Sequence, residues 1–318
     1  MTKRPDKLKL AVIFHGARSQ TATNLQQFKF LSSKLAGFVL KKYAFTKQSQ
    51  KLLLRDYKSG GVDLVLKNSY GRGNECDIEL FLEKHGIPFL GSGSRATLIG
   101  TSKKLSKLLF RKHGLPVAPD VGVDRKSWVV RSKNKILSKI TKNLGYPCIL
   151  KDTAGTDSRG IYLVKNSAEL KRKLDNLVSK NNAFIVEKYI QFDNEVTCAV
   201  AGKKNTHAYE PVEFANKRGM FSAREKDSGN FVSLVPARIP KRLRERIQRI
   251  SRLAHELLCC RSFSRADILI KGKQIYLLEV DVHPGFRDVS ATTKSIEYEK
   301  ESLNSFFLKL SVEALKGN

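Results

Sequence analysis

Short apolar blocks alternate with longer amphipathic stretches along the first third of the chain. The run LKLAVIF at 8–14 has the length and composition of a buried strand, and the Gly16 turn and a helical pattern at about 21–40 follow it. The next predicted elements are a strand at 62–66, a helix at 77–85 and a strand at 87–90. Strands that alternate with helices predict a parallel sheet covered by helices.

The remainder of the chain continues this change of pattern. Ser102 is a predicted N-cap for a lysine-rich amphipathic helix that ends near Lys112, and the segment 115–119, with two prolines, then requires an extended link. Further elements are predicted as strands at 148–151, 161–164, 184–187, 265–270 and 274–280 and as helices at 168–179 and 241–258. No internal repeat or low-complexity segment interrupts them. The pattern therefore indicates a globular α/β protein.

Length and composition agree with a protein of more than one lobe. The chain has 318 residues, of which 41% are hydrophobic, enough to bury the cores of two or three small lobes. No apolar run is long enough to cross a bilayer and residues 1–9 are polar and basic, so we expect a cytoplasmic protein without a membrane segment. The five cysteines form no C-x-x-C pair, which favours reduced, mostly buried thiols.

The charge balance is strongly basic. Lys and Arg number 59 against 30 Asp and Glu, which leaves a formal net charge of +29. Such a field attracts polyanions, so nonspecific nucleic-acid binding, a nucleotide or acidic substrate, and simple solubility are all compatible with it. The basic residues are spread over the whole chain without an RNA-binding, zinc-finger or basic-zipper pattern, so specific nucleic-acid recognition is the weakest of these interpretations.

A small polar loop, K-D-T-A-G-T-D-S-R-G at 151–160, joins two of the predicted strands. Its small residues allow backbone amides to approach an anion closely, so the loop could cover phosphates. It matches neither G-x-x-x-x-G-K-[ST] nor G-x-G-x-x-G, and a plain polar hairpin is the alternative.

Three carboxylates near the C-terminus carry a more specific signal. Asp267 lies on one predicted strand, and Glu279 and Asp281 lie at i and i+2 on the next, so all three can point to one face of a sheet. Carboxylate oxygens in such a group favour Mg²⁺ or Mn²⁺, which usually bridge substrate phosphates, although a solvated charged face is the alternative. His283-Pro284-Gly285 then forms a turn whose backbone amide could face a reacting centre.

The same segment carries a resemblance to a known family. S-R-A-D-I-L-I followed by I-Y-L-L-E-V-D-V-H-P-G-F resembles the closing signature of the D-alanine-D-alanine ligases, which has an Arg-x-Asp strand and a Glu-x-Asn strand before Pro-Gly. Six other stretches agree in order: G-I-P-F-L-G-S-G-S, S-K-K-L-S-K-L-L, H-G-L-P-V-A-P, Y-P-C-I-L-K, F-I-V-E-K-Y-I and L-V-P-A-R-I. The resemblance spans nearly the whole chain.

The resemblance implies an α/β protein with the ATP-grasp fold and an N-terminal Rossmann-like parallel-sheet domain. It implies an N-terminal substrate domain at 1–101, a central ATP-grasp lobe at 102–191 and a C-terminal lobe with the metal site at 192–318. The implied activity is that of an ATP-dependent carboxylate-amine ligase that works through an acyl phosphate, with ATP and two Mg²⁺ (or Mn²⁺) ions as cofactors. Small amino-acid-like substrates and a homodimer are implied as partners.

The resemblance also assigns roles to individual residues. Lys103 and Lys151 match the lysines that contact ATP phosphates, which suits their point charges, although ordinary surface lysines are the alternative. Glu187 and the hinge residues Lys188 and Ile190 match the residues that bind adenine. Glu195 matches the ribose ligand, and Lys226 matches a lysine of a mobile loop that closes over the γ-phosphate.

The remaining implied roles concern metal and substrate. Asp267, Glu279 and Asp281 would hold the magnesium ions, and Arg265 with the Gly285 amide would stabilise a tetrahedral oxyanion. Ser290 matches the serine that receives the second substrate's carboxylate, with an exposed loop hydroxyl as the alternative. The family's loop serine falls near Asp157 and its loop tyrosine near Asp227, and Ser158 is retained beside the first of these two positions.

The sequence departs from the family around the first substrate. The usual Gly-Gly-x-Ser-x-Glu becomes H-G-A-R-S-Q at 15–20, and His-Gly-x-x-Gly-Glu-Asp-Gly becomes N-S-Y-G-R-G-N-E at 68–75, so an acidic anchor and a histidine are missing. The asparagine of the family's metal site is replaced here by Asp281. Arg18 and Arg72 could favour a more anionic substrate, although solvated surface arginines are the alternative.

Several functions are compatible with these departures. The first is a ligase with an altered first-substrate pocket, including a related enzyme that extends peptides or builds an antibiotic or cofactor. The second is a genuine D-alanine-D-alanine ligase of cell-wall synthesis. The third is a basic nucleotide-binding or RNA-binding protein without catalysis, which the clustered carboxylates and Arg265 argue against because such a protein has no need of them.

Overall fold

Three β-sheets organise the described part of the chain. The computed structural model describes residues 7–15, 22–68, 76–130, 132–153, 160–178, 183–215 and 232–317. Within these ranges no helix is both long enough and apolar enough to cross a membrane. All five cysteines are free thiols, and Cys148, Cys198 and Cys260 are buried.

The first sheet is parallel and has the strand order β2-β1-β3-β4. Its strands are β1 (Leu8–His15), β2 (Phe38–Phe45), β3 (Leu64–Lys67) and β4 (Phe89–Leu90), and the helices between them are α1 (Ala22–Lys34), α2 (Lys47–Lys58) and α3 (Asp77–Lys84). The parallel sheet predicted from the alternation of strands and helices is confirmed.

The predicted helix at 21–40 is wrong at its C-terminal end. Helix α1 ends at Lys34, and Phe38 begins β2, which pairs with β1 over eight residues. Two lysines interrupt the apolar run of β2 and hide its strand character. One of them, Lys41, is held by an ion pair with Asp56 of α2, a contact that the local pattern does not show.

The second sheet is antiparallel and has the strand order β12-β11-β9-β13-β14, with β10 paired to β9. Its strands are β9 (Asn194–Ala201), β10 (His207–Ala208), β11 (Val212–Ala215), β12 (Val232–Leu234), β13 (Phe263–Lys271) and β14 (Gln274–Asp281). The helices α4 (Ser94–Thr101), α5 (Lys103–Lys112) and α9 (Lys241–Leu257) contribute to its core. Ser102 caps α5 as predicted, because its side chain accepts a hydrogen bond from the Leu105 amide.

The third sheet is antiparallel and has the order β5-β8-β6-β7. Its elements are β5 (Asp120–Val123), α6 (Arg125–Val130), α7 (Lys133–Asn143), β6 (Cys148–Asp152), β7 (Ile161–Val164), α8 (Ser167–Val178) and β8 (Phe184–Lys188). Trp128 is buried in a core that this sheet shares with α6, α7 and α8.

The last two helices return to the first sheet. Helix α10 (Ala291–Tyr298) supplies Ile296, and helix α11 (Leu303–Leu315) supplies Phe306 and Phe307, to the core that contains Leu10 and Leu66. Phe286 packs edge-on against Phe307 with ring centroids 4.9 Å apart. Residues distant in the sequence thus complete one core, and the three domain bounds given above stay a prediction.

Candidate active site

Four charged side chains share one face of the second sheet, at the end of β14. Strand register pairs Arg265 with Asp281 and Asp267 with Glu279. Directly paired residues of antiparallel strands point to the same side, and so do residues at i and i+2. The alternation of these two strands therefore brings one cation and three carboxylates together.

Arg265 is held between two aspartates. Its Nε and Nη2 donate to Asp267 Oδ1 and Oδ2, each at 2.9 Å, and Nη2 lies 3.7 Å from Asp281 Oδ2. Burial alone would lower the pKa of the guanidinium, but the attraction of Asp267 and Asp281 outweighs it and raises the pKa. Thr197 also donates to Asp267 Oδ1 at 2.7 Å. The arginine is therefore a fixed cation of the kind that stabilises a developing oxyanion.

The three carboxylates have the donor chemistry of a magnesium site. Burial raises the pKa of Asp281, with repulsion from Asp267 adding to it and Arg265 opposing it, so a second cation nearby would favour its ionised form. Within the described ranges, no group of three or more Asp, Glu, His or Cys side chains converges as metal ligands. The three carboxylates share a sheet face without converging on one point: Asp267 accepts hydrogen bonds from Arg265, and Glu279 Oε2 lies 3.4 Å from Lys103 Nζ.

A second charged cluster is buried beside the third sheet. Glu187 of β8 accepts a hydrogen bond from Lys151 Nζ at 2.8 Å, and Lys107 Nζ lies 2.7 Å from its other oxygen without hydrogen-bond geometry. Burial raises the pKa of the Glu187 carboxyl, but the two lysines outweigh burial and lower the pKa to about 2. The carboxylate is therefore ionised and fixes both ammonium groups.

Lys107 is the residue that sequence reasoning missed. Its side chain is 1% exposed, and burial lowers its pKa although Glu187 opposes this shift. It lies four residues after Lys103, on the same face of α5, and this spacing was the available signal. Together with Lys151, these lysines form a basic group that connects α5, β6 and the Glu279 end of β14.

The other proposed nucleotide residues lie along β8 and β9. The Lys188 amide donates to the Pro119 carbonyl at 2.9 Å, and Ile190 is buried against Ala118 and Leu269. Glu195 of β9 is nearly buried. Burial alone would lower the pKa of Lys151, but Glu187 outweighs it and raises the pKa, with Glu279 and Glu195 adding to the rise.

The substrate residues divide into described and undescribed positions. Gly285 is buried beside Phe286, and Ser290 precedes α10, where its hydroxyl accepts from the Arg287 amide at 2.9 Å. The proposed residues Ser158 and Lys226, and the two arginines Arg18 and Arg72, lie outside the described residues.

Comparison with known proteins decides the family. The family model for the D-ala D-ala ligase C-terminus matches residues 109–305. A D-alanine-D-alanine ligase of Syntrophobacter fumaroxidans is 30% identical over 233 residues, which cover 72% of this chain and 73% of that protein. This chain belongs to the D-alanine-D-alanine ligase family. A further family member from Desulforudis audaxviator is 28% identical over 74% of this chain and 76% of its own length.

Solved structures of similar ligases have the same fold. The D-alanine-D-alanine ligase of Bacillus anthracis complexed with ATP superimposes with a TM-score of 0.77 at 20% identity, over 97% of this chain and 99% of that chain. The VanG D-Ala:D-Ser ligase of Enterococcus faecalis gives a TM-score of 0.79 at 22% identity, over 97% and 99% of the two chains. The chain therefore has the ATP-grasp fold of this ligase family.

Family membership gives the class of reaction. The chain is an ATP-dependent, ADP-forming carboxylate-amine ligase that uses magnesium and acts on small amino-acid substrates. The strand residues of the two charged clusters lie within the range that the family model covers, since Arg265, Asp267 and Glu187 all fall within 109–305.

Proposed function

We propose that this ligase joins the carboxylate of one small amino-acid-like substrate to the amine of a second, through the charged face of β13 and β14. The observation that carries the proposal is the fixed Arg265, clamped by Asp267 and flanked by Asp281 and Glu279 on one sheet face. A positive group held by a buried carboxylate such as Asp267 is preorganised, so it stabilises new negative charge without reorganising during the reaction.

The proposed reaction has two steps. A carboxylate oxygen of the first substrate attacks the γ-phosphorus of ATP, ADP leaves, and an acyl phosphate forms. The amine of the second substrate then attacks the acyl carbon, inorganic phosphate leaves, and the amine loses a proton to solvent. Arg265 and the Gly285 amide are the proposed donors to the oxyanion of the second step, while Ser290 receives the second substrate's carboxylate.

Charge neutralisation falls to the remaining residues. Asp267, Glu279 and Asp281 would hold two Mg²⁺ ions, which neutralise the nucleotide phosphates when bound. Lys103 and Lys151 would contact the phosphates, with Lys226 closing over the γ-phosphate.

Glu187, Lys188 and Ile190 would bind adenine and Glu195 the ribose. Glu187 keeps free acceptor positions for this task, because a carboxylate has about four lone-pair sites and two lysines occupy only part of them.

The first-substrate pocket is proposed to accept a carboxylate other than that of D-alanine. Support comes from the missing acidic anchor at 15–20 and the missing histidine at 68–75. The alternative is a genuine D-alanine-D-alanine ligase, which the names of the relatives favour.

ADP release over a panel of D- and L-amino acids, hydroxy acids and dipeptides, with and without Mg²⁺, tests these proposals. We expect Mg²⁺-dependent turnover with a pair other than D-alanine alone. Efficient turnover with D-alanine alone would establish the alternative, and no turnover with any pair would contradict the proposed ligation.

Three further proposals concern surroundings and assembly: a cytoplasmic location, a homodimer, and weak nonspecific contact with nucleic acid. The exposed side of α9 carries Arg242, Arg246 and Arg249 at helical spacing, and the whole chain has a net charge of +29. For the homodimer, we expect sedimentation velocity to give a mass about twice 35.8 kDa. For the nonspecific contact, we expect a short RNA to co-sediment with the protein at low salt but not at high salt. A monomeric mass, or RNA binding that resists salt, would contradict the respective proposal.

A further inference from the structure

A buried ionic cluster lies behind the turn that follows β14. Glu79 of α3 is fully buried, and its Oε1 atom receives three contacts: Lys67 Nζ at 2.6 Å, Thr97 Oγ1 at 3.0 Å and His283 Nε2 at 2.8 Å. Thr97 Oγ1 and His283 Nε2 are themselves 2.9 Å apart. The contacts fit a histidine protonated on Nε2 that shares this hydrogen between the Thr97 hydroxyl and Glu79.

The cluster joins distant parts of the fold. Lys67 ends β3 of the first sheet and Glu79 lies in α3, whereas His283 follows β14 of the second sheet. The His283 amide donates to Asp281 Oδ1 at 2.9 Å. One residue, His283, therefore connects the buried carboxylate to a proposed magnesium ligand, and Gly285 follows two positions later.

The cluster is more specific than packing requires. Replacing a buried ionic group by apolar side chains of similar volume is often neutral or stabilising, so a buried Lys-Glu-His group is weak as a stability device. It does fix direction, because three donors converge on one oxygen and hold the imidazole in one orientation. Partners behind the ligands of a site orient those ligands in the same way.

We propose that Glu79 is a positioning residue, which holds His283 and thereby aims the Asp281 carboxylate and the Gly285 amide at the reacting centre. The inference rests on the proposed roles of Asp281 and Gly285. Glu79 touches neither substrate nor nucleotide in this role; it acts through the histidine.

Glu79→Gln tests the proposal, because the amide keeps the shape of the side chain and removes the charge on which Lys67 and His283 converge. We expect kcat for ADP release to fall about 10–100-fold and the affinity for Mn²⁺ in the presence of ADP to fall by a similar factor. The KM for ATP should change little, since Glu187 and its lysines lie outside the cluster. Glu79→Asp, which keeps the charge, should restore part of both losses.

Glu83→Gln is the matched control. Glu83 lies one turn further along α3 and also joins elements, through Ser94 at 2.5 Å and Arg261 at 3.5 Å, but has no contact with His283 among the described residues. We expect its kcat and Mn²⁺ affinity to stay within about twofold of wild type, because its contacts are more exposed. Mn²⁺ binding is followed by electron paramagnetic resonance, which needs no turnover.

The outcomes separate this inference from the proposed function. Glu79→Gln with wild-type kcat and wild-type Mn²⁺ affinity would overturn the positioning role alone. Wild-type protein that neither releases ADP nor binds Mn²⁺ would overturn the proposed function itself. If Glu79→Gln fails to fold, His283→Leu breaks the same link from its other end; an active His283→Leu enzyme with normal Mn²⁺ affinity would equally overturn the role.

Discussion

Glu279→Gln is expected to abolish ADP release and leave the fold intact. Glu279 faces Asp267 across two paired strands and lies 3.4 Å from Lys103 Nζ, so its charge belongs to the face proposed to hold magnesium and phosphate. Loss of one preorganised electrostatic contact in an active site commonly costs about 10²–10³-fold in rate, and loss of a metal ligand should reach at least this range. The measurement is a coupled assay of ADP production.

Glu279→Gln is expected to lose activity without losing stability. The Glu279 side chain is 44% exposed, and an ion pair this exposed contributes little to the free energy of unfolding. Thermal unfolding of Glu279→Gln should therefore coincide with that of wild type. Glu245→Gln, an exposed substitution of the same chemistry on α9, serves as the control for activity. A fully active Glu279→Gln enzyme would remove the metal-site proposal.

Glu187→Gln is expected to have the largest effect on stability. The substitution leaves two buried ammonium groups, Lys107 and Lys151, without their common counter-charge. Breaking a buried ion pair from one side costs about 3–5 kcal/mol, because the remaining charge is uncompensated. Adding Lys107→Met to Glu187→Gln removes one of the stranded charges and should recover part of the loss.

Urea unfolding followed by Trp128 fluorescence measures this effect. Trp128 is the only tryptophan, and it lies in the core of the third sheet together with Val186, the neighbour of Glu187. The four proteins of the Glu187 and Lys107 double-mutant cycle give the coupling between the two side chains. A Glu187→Gln midpoint equal to that of wild type would show that the buried pair has no such role.

The same carboxyl predicts a pH dependence. Its pKa is lowered from an ordinary value of 4.5 to about 2, so its stabilisation is present above pH 4.5 and is lost as the pH falls towards about 2. Burial raises the pKa of Glu79, but His283 and Lys67 outweigh it and lower the pKa to about 2. Hydrogen bonds from Lys133 and Lys171 likewise lower the pKa of Asp175 in α8 to about 2, so both carboxyls add to the same acid loss. Glu187→Gln should therefore lose stability less steeply than wild type over this range.

Local pattern predicted the elements that are apolar or strictly periodic. Strand β1 and helix α9 are of this kind, because a continuous apolar run and a stripe at helical spacing depend only on neighbouring residues. Strand β2 was missed because its two lysines are held by residues outside the strand, Lys41 by Asp56 and Lys42 over the Phe14 ring. Helices α10 and α11 were also not predicted; their apolar faces complete the core of a sheet formed by the first residues of the chain.

In the site, too, local sequence predicted some features, whereas others depend on residues far apart in the chain. Register on β13 and β14 follows from alternation, so the common face of Asp267, Glu279 and Asp281 was accessible from the sequence. Burial of one lysine among 59 basic residues was not, because Lys107 is buried by elements far along the chain and pairs with Glu187, which is 80 positions away. The Glu79 cluster was hidden for the same reason, since its histidine follows its carboxylate by about two hundred residues.

The return of α11 to the first sheet bears on how the protein is made. During synthesis, strands β1 to β4 leave the ribosome long before Phe306 and Phe307, which supply part of their cover. Leu31 and Leu35 of α1 cover part of this core early, but the part that α11 covers stays exposed until α11 is synthesised. Long-range closure of this kind slows folding and exposes apolar surface to aggregation. Slow translation of the segment before α11 would lengthen the time for which this apolar surface is exposed.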